Sequence, residues 1–465
     1  MTATLAFRPD DPRVRRLNDR PVNRRGDLVL YWMQTYRRAE DNAALDHAIL
    51  LANELGVPCV VYEELRPDHP HASERLHTFH LQGARDVAAG LARRGVHHSL
   101  CLPTTGEQAR GIVARLADRA CAVVSDDFPS FVVEARHAAI ARGVPCPYLV
   151  VDDTAVVPMA LLGRAEIGAH TLRPKVHRLL GEWLRPLAAL STRHGPPQHL
   201  DLPFEPVDLS SADISSLVAS CGVDRAVPAV LETPGGSQEA GRRLDAFVRG
   251  PLAGYATDRN DPSRDAGSGL SPYLHSGMIS ARRVALEARA WGRGESLEAF
   301  LEQLLVRRAL AFNFARRHPD PAGWSAVPAW ARASLEAHAG DEREAELSRD
   351  DLEQGRTPDE LWNAAMAELR ARGTIQPYAR MLWGKLPIRW MRSPADAHAA
   401  IVHLNDRWAL DGRDPGGYAN VAWCFGLHDR PWPERPVFGK VRTMTSASAR
   451  RKLDFEDYIA RWSRA

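Results

Sequence analysis

The sequence predicts an α/β domain built on a parallel sheet, followed by an all-helical domain. Three observations carry that prediction. Short apolar runs alternate with amphipathic stretches from Asp27 to about Asp153, the β signal then fades, and from Ala240 to Ala465 apolar residues recur with helical periodicity.

Residues 1–26 read as an N-terminal extension with arginines at 8, 13, 15, 16, 20, 24 and 25 and without the apolar run of a secretory leader. Strands are expected at Leu28–Trp32, Cys59–Tyr62, His98–Leu102, Cys121–Ser125 and Tyr148–Val151. Their apolar runs, joined by helix-length segments, fit a parallel sheet with helices on both faces, the Rossmann-like arrangement of an α/β domain spanning 27–190. That domain holds neither a G-x-G-x-x-G run nor a Walker lysine, so the usual dinucleotide and P-loop motifs are missing. Residues 191–239 read as an interdomain linker, because Arg193–Gln238 is rich in Pro, Ser and Gly and offers one short helix at Ala212–Ser220. In the helical domain, 240–465, segments are expected near 240–255, 279–292, 296–316, 326–339, 358–371, 394–408 and 451–463.

At 465 residues, 45% hydrophobic and 25% charged, the chain has room for two or three globular domains. A net charge of +2 excludes a chain-wide polyanion surface and leaves only local basic patches. The cysteines 59, 101, 121, 146, 221 and 424 show no C-x-x-C spacing and mostly lie in apolar runs. They read as buried free thiols in a reducing compartment, and with no stretch of 18 apolar residues the expectation is a cytoplasmic protein with no membrane partner, taken as a monomer. His69 and His71 beside Asp68 fall in a Pro-rich loop, and no metal is assigned.

The C-terminal tract carries the chemistry. Tryptophans 362, 383 and 390 are interleaved with Asn363, Arg380, Asn405, Asp406 and Asp411, a mixture that a purely apolar core does not need. A Trp-rich helical core with buried ion pairs would look the same in composition.

Tyr31-Trp32-Met33 with Arg38-Ala39-Glu40-Asp41-Asn42, Ala169-His170-Thr171-Leu172-Arg173-Pro174-Lys175, Arg259-Asn260-Asp261-Pro262, Leu270-Ser271-Pro272-Tyr273-Leu274-His275, Leu361-Trp362-Asn363-Ala364 and Leu404-Asn405-Asp406 closely resemble class II cyclobutane pyrimidine dimer photolyases of the photolyase/cryptochrome family. The likeness runs on through Tyr418, Trp423, Glu434-Arg435 and Gly439-Lys440-Val441-Arg442, in the family's order. It implies FAD bound within the helical domain, damaged DNA as partner, and an α/β domain able to take an antenna pigment, deazaflavin-type or none. Tyr255, Ser268, Leu270 and Ser271 match the segment that contacts the flavin nucleotide, and Asn363 joins this cofactor set. Asn405 matches the amide facing the reactive ring nitrogen, where an amide can donate or accept. Arg380 and Asp411 match an ion pair beside the ring. Trp383, Trp362 and Trp390 match an electron relay, although Pro387 between Trp383 and Trp390 predicts a kinked or restarted helix.

The chain departs from the family on the substrate side. In Val306-Arg307-Arg308-Ala309-Leu310-Ala311-Phe312-Asn313-Phe314, Ala309 stands where the family has a dimer-binding glutamate, and Phe312 where an aspartate is usual. Thr374-Ile375-Gln376-Pro377 replaces Lys-Met-His-Gly. The candidate pocket is Ala309, Phe312, Asn313, Ile375, Gln376, Met381 and Trp423. Arg435, Lys440, Arg442, Arg450, Arg451 and Lys452 make the candidate DNA patch, though such residues also suit a solvated face. Three functions follow: light-driven splitting of dimers in DNA, a repurposed flavoenzyme acting on a small apolar molecule, or a cryptochrome-like photoreceptor.

Overall fold

A computed structural model describes residues 10–130 and 132–463, so the first nine residues of the expected N-terminal extension lie outside the described residues. The chain divides into two compact units. The first takes in the residues up to Gly163 together with Arg173–Ala246 and Gly269–Trp291; the second comprises Arg164–Leu172, Phe247–Ser268 and Gly292–Ala465.

Six strands form the sheet of the first unit: β1 (Val14–Arg16), β2 (Leu28–Met33), β3 (Cys59–Glu64), β4 (His97–Cys101), β5 (Ala120–Asp126) and β6 (Tyr148–Val151), in the order β1-β6-β5-β2-β3-β4. All pairings are parallel except β1 on β6, where Val14 faces Val151. Every residue of β2 is buried, which is why this strand reads as an unbroken apolar run. Its side chains still alternate. Val29, Tyr31 and Met33 pack with the helix Ala43–Leu55, whereas Leu28, Leu30 and Trp32 pack with Ile112–Ala117.

At the carboxyl edge, Asp126 Oδ2 accepts the backbone N–H groups of Gln34, Thr35 and Tyr36 at 2.8, 2.6 and 2.9 Å. Its other oxygen takes the Tyr31 hydroxyl at 2.6 Å. These bonds satisfy a buried carboxylate and fix the turn that follows β2. The Pro/Ser/Gly-rich stretch packs on the same unit: Phe204 meets Tyr62 at 5.5 Å between ring centroids, and Gly235 donates to Gln82 Oε1 at 2.6 Å.

Helices make up the regular structure of the second unit. Gly294–Leu301 runs through a π-helical turn, Glu302–Arg307, into Arg308–Arg317. Glu360–Arg372, Pro377–Lys385, Pro387–Trp390, Pro394–Trp408 and Pro415–Cys424 follow, and Glu456–Trp462 closes the chain. Alanines let Arg308–Arg317 and Pro415–Cys424 approach closely, with Ala311, Phe314, Ala419 and Ala422 in one apolar cluster. Gly384 does the same for Pro377–Lys385, since a Cβ there would lie 2.8 Å from Cys424 Sγ. Among the described residues, no helix is long and apolar enough to cross a membrane, no group of three His, Cys, Asp or Glu is arranged to hold a metal, and the six cysteines are free thiols, five of them buried.

Candidate functional site

Arg380 projects from Pro377–Lys385, whose N-terminus is fixed from two sides. The Gln376 side-chain oxygen accepts the N–H groups of Tyr378 and Ala379 at 2.7 and 2.9 Å, and the Gln376 N–H donates to Glu368 Oε2 at 2.8 Å. Tyr458 donates to the same Glu368 oxygen at 2.6 Å. Burial raises the Glu368 carboxyl above its usual range, and these donors offset part of that rise.

The Arg380 guanidinium makes three bonds, to Asp411 Oδ2 at 3.0 Å, Asp411 Oδ1 at 2.9 Å and Asn405 Oδ1 at 2.7 Å. Burial disfavours its charge, but Asp411 outweighs that and holds Arg380 above its ordinary value. Asn405 sits near the end of Pro394–Trp408, and Asp411 on the loop after it. That loop folds back tightly: a Cβ at Gly412 would lie 2.5 Å from the Asn405 carbonyl oxygen, and Arg413 takes φ 61°. Arg413 pays the strain back through its N–H to Asp406 Oδ1 at 2.6 Å and its guanidinium to the Asp406 carbonyl.

With its oxygen engaged by Arg380, Asn405 presents Nδ2, a buried donor with no hydrogen-bond acceptor among the described residues. Gly417 leaves it room, because a Cβ at 417 would stand 2.9 Å away. An unpaired buried N–H beside a charge-balanced guanidinium, itself 27% exposed, suits the nitrogen edge of a planar heterocycle such as a flavin.

Behind this clasp the three expected indoles stand together. Trp362 stacks on Trp383 with centroids 6.2 Å apart and planes 15° apart, and meets Trp390 edge-on at 5.8 Å. All three are 2% exposed or less. Trp362 Nε1 donates to the Trp383 carbonyl at 2.9 Å. As Pro387 predicts, the helix stops at Lys385 and restarts at Pro387. The break does not separate the indoles, because Trp362 on its neighbouring helix bridges them.

The other predicted cofactor residues lie on other segments of the chain. Asn363 is engaged with Thr357, accepting from its N–H at 3.1 Å and hydroxyl at 2.8 Å and donating to its carbonyl at 2.9 Å. Tyr255 packs edge-on against the touching pair Phe247 and Phe300, under Arg259. Ser268 ends a segment of the second unit, while Leu270 and Ser271 lie in the first, at the start of the short helix Ser271–His275.

On the substrate side, Ala309 and Phe312 are buried, 1% and 0% exposed, with Arg308 4.7 Å over the Phe312 ring. Asn313 is committed to the loop before Ala169, accepting from Glu166 N–H at 2.9 Å and donating to the Arg164 carbonyl at 3.1 Å. Ile375 is buried and Gln376 is the helix cap described above. Met381 and Trp423 are open to solvent, 46% and 38% exposed.

Arg435, Lys440 and Arg442 lie on a hairpin that turns at Val437 and Gly439, with φ 68° and 51°. Arg442 reaches over Trp432, and its carbonyl accepts from the buried Lys385 Nζ at 2.8 Å. Arg450 is paired with Glu360 and Glu456, so its charge is already met, whereas Arg451 and Lys452 are exposed. Sequence reasoning missed the His338 bridge that braces this hairpin: its ring nitrogens meet Asp341 Oδ2 at 2.6 Å and Glu434 Oε1 at 2.9 Å, and Asp341 also accepts the Val437 N–H at 2.7 Å. It also missed Ile167, 76% exposed on a loop held by Asn313 and by His428, which contacts the Ile167 carbonyl at 2.7 Å. No sequence signal marks either feature, since both depend on chain reversals between distant segments.

Residues 29–192 match the DNA photolyase family model. A deoxyribodipyrimidine photo-lyase of Methanothermobacter thermautotrophicus is 36% identical over 97% of this chain and 97% of its own. One from Oryza sativa is 38% identical, covering 94% of this chain and 87% of its own. A class III photolyase of Agrobacterium tumefaciens has the same fold, with a TM-score of 0.68 at 19% identity over 94% of this chain and 86% of that one. Near-complete coverage at this identity, on a fold of the same kind, makes the chain a member of the DNA photolyase family.

Proposed function

We propose that the protein is an FAD-dependent photolyase of the class II kind that splits cyclobutane pyrimidine dimers in DNA under light. The observation that carries this reading is the buried, unpaired Asn405 Nδ2 beside the Arg380–Asp411 pair, backed by three indoles connected through Trp362. Asn405, Arg380 and Asp411 would hold FAD there, and the bound group would supply light-driven one-electron chemistry able to open a cyclobutane ring.

The chain's own groups have separable tasks in that reaction. Asn405 would donate to the ring-nitrogen edge, and Arg380 would offer positive charge to an electron-rich ring while Asp411 keeps that charge from standing alone. Trp383, Trp362 and Trp390 resupply electrons. Met381 and Trp423 give a flipped-out lesion an apolar wall, and the hairpin cations meet phosphate. This route needs no metal or nucleophile. The α/β unit is the proposed seat of any antenna pigment, deazaflavin-type or none.

Purified protein loaded with FAD and reduced should, under blue light, restore thymines in dimer-containing oligonucleotides. No restoration, with the flavin shown to be bound and reduced, would sink the reading. A second reading, a flavoenzyme for a small apolar substrate, draws on the apolar Ala309 and Phe312. Efficient repair with lesion-selective DNA binding excludes it.

A further inference from the structure

Arg307 has no part in the site built above. It closes the π-helical turn Glu302–Arg307, and such turns change the angular register of the side chains that follow them, often at functional sites. Here the turn carries the guanidinium to 5.3 Å over the ring of Trp423. The arrangement is loosely held. The only ion pair at Arg307 among the described residues is with Glu302, at 3.5 Å, with the two side chains 37% and 22% exposed, a distance and exposure at which such pairs hold little. Its neighbour differs: Arg308 lies on Phe312, which is wholly buried.

Trp423 is thus a half-open indole whose partner is a weakly paired cation. Beside it, Met381 is exposed, and the Met381 carbonyl lies within reach of the Cys424 thiol, which puts both apolar side chains on neighbouring stretches of packed helices. A cation on an exposed indole is a weaker contact than a nucleobase stacked on the same face. A base arriving at Trp423 therefore displaces Arg307 at a gain. The displaced guanidinium brings five N–H donors and a fixed charge on a tether anchored at the pocket rim, where the phosphates flanking an extruded base must pass.

We propose that Arg307 is a positioning residue for lesion binding, capping Trp423 in the free protein and moving to the DNA backbone when a flipped-out dimer takes the indole. The proposal rests on the dimer-repair reading. It assigns Arg307 a role in binding that a permanent surface cation would not have, because its phosphate contact exists only with a base in the pocket.

The experiment uses FAD-loaded full-length protein and its Arg307→Gln and Arg307→Lys variants. Affinity for a dimer-containing duplex and for the same duplex undamaged is measured from low to moderate salt. Arg307→Gln should weaken dimer binding about tenfold and reduce the slope of log affinity against log salt by about one, while leaving the slope for undamaged duplex unchanged. Arg307→Lys should keep the slope. An unchanged slope on dimer DNA, or an equal loss on both duplexes, overturns the proposal. If the unmodified protein does not prefer the dimer at all, the repair reading itself fails, and that result is distinct from a selective protein whose slope ignores Arg307. Unchanged urea midpoints of the variants separate lost contacts from lost folding.

Discussion

Arg380 holds the oxygen of Asn405 at 2.7 Å, and this one bond decides which end of the amide faces outward. An asparagine amide can turn about its terminal bond, and without the guanidinium nothing would choose between donor and acceptor. The orientation rests in turn on Asp411, which grips Arg380 with both oxygens.

Replacing Asp411 by Asn should therefore act on both stability and flavin chemistry. With the Arg380 and Asp411 side chains 27% and 7% exposed, stripping the guanidinium of its counter-charge should cost about 2–4 kcal/mol, read by urea denaturation. The bound flavin should also lose photoreduction in the variant, whereas Asp411→Glu should recover part of both.

Trp362 is the middle of the indole stack, so its loss should interrupt the relay without touching the site itself. Trp362→Phe should slow photoreduction of bound flavin by on the order of tenfold or more, equal to at least about 1.4 kcal/mol of barrier. Chemically reduced Trp362→Phe should still repair dimers at close to the parent rate. Loss of repair in the pre-reduced variant would assign Trp362 to the reaction and remove it from electron supply.

Protonation should govern the hairpin that carries Arg435, Lys440 and Arg442. Hydrogen bonds to Glu434 and then Asp341 raise His338 above its ordinary 6.5, while His338 lowers the Glu434 carboxyl below 4.5, and the Val437 N–H and then His338 lower that of Asp341 below 3.8. The histidine contribution is complete below pH 6.5 and fades as pH rises through its raised value; the carboxyl contribution is complete above their ordinary values and fades in acid. The hairpin should be most firmly held between about pH 5 and 6.5 and loosen toward pH 8. Amide exchange across Trp432–Arg442, corrected for intrinsic rates, should show this, and His338→Gln should flatten it.

Ala309→Glu tests whether the pocket still addresses DNA. A carboxyl there can hydrogen-bond a dimer, and gaining such a contact should raise repair about ten- to a hundred-fold. Because Ala309 is 1% exposed, the larger side chain should also cost about 1–3 kcal/mol of stability. A variant that stays folded and repairs no faster would show that the lost carboxylate is not what limits this chain.

Asn313 gives a purely structural prediction. Both ends of its amide hold Arg164 and Glu166, so Asn313→Ala should cost about 2–3 kcal/mol and free the loop that carries Ile167. Proteolysis should cut that loop faster in the variant.

Much of the α/β unit was legible in the sequence because a strand buried on both faces has nowhere to put polar residues. β2 through β6 appear within two residues of their expected ends. β1 was not legible: Val14-Arg15-Arg16 is an edge strand of three residues with two outward arginines, and its pairing partner lies more than a hundred residues away. Pro377–Lys385 and Pro415–Cys424 were missing from the expected helices for a different reason. Both are packed on several sides, which erases the one-faced periodicity that marks a surface helix. Of the site, residue types were readable and contacts were not. Nothing in the spacing of 362, 383 and 390 says that the middle indole of the stack comes first in the chain.

The stacked indoles also differ in what surrounds their nitrogens. Trp362 Nε1 donates to a carbonyl, and Trp383 and Trp390 Nε1 are buried without an acceptor among the described residues. An indole that gives up an electron becomes a far stronger acid at that nitrogen, yet here no base is in place to take the proton. A positive hole in this stack would therefore stay a mobile charge and not settle as a neutral radical on one ring. Electron return would then require no proton to come back, so forward transfer succeeds only if an outside donor fills the hole before it recombines.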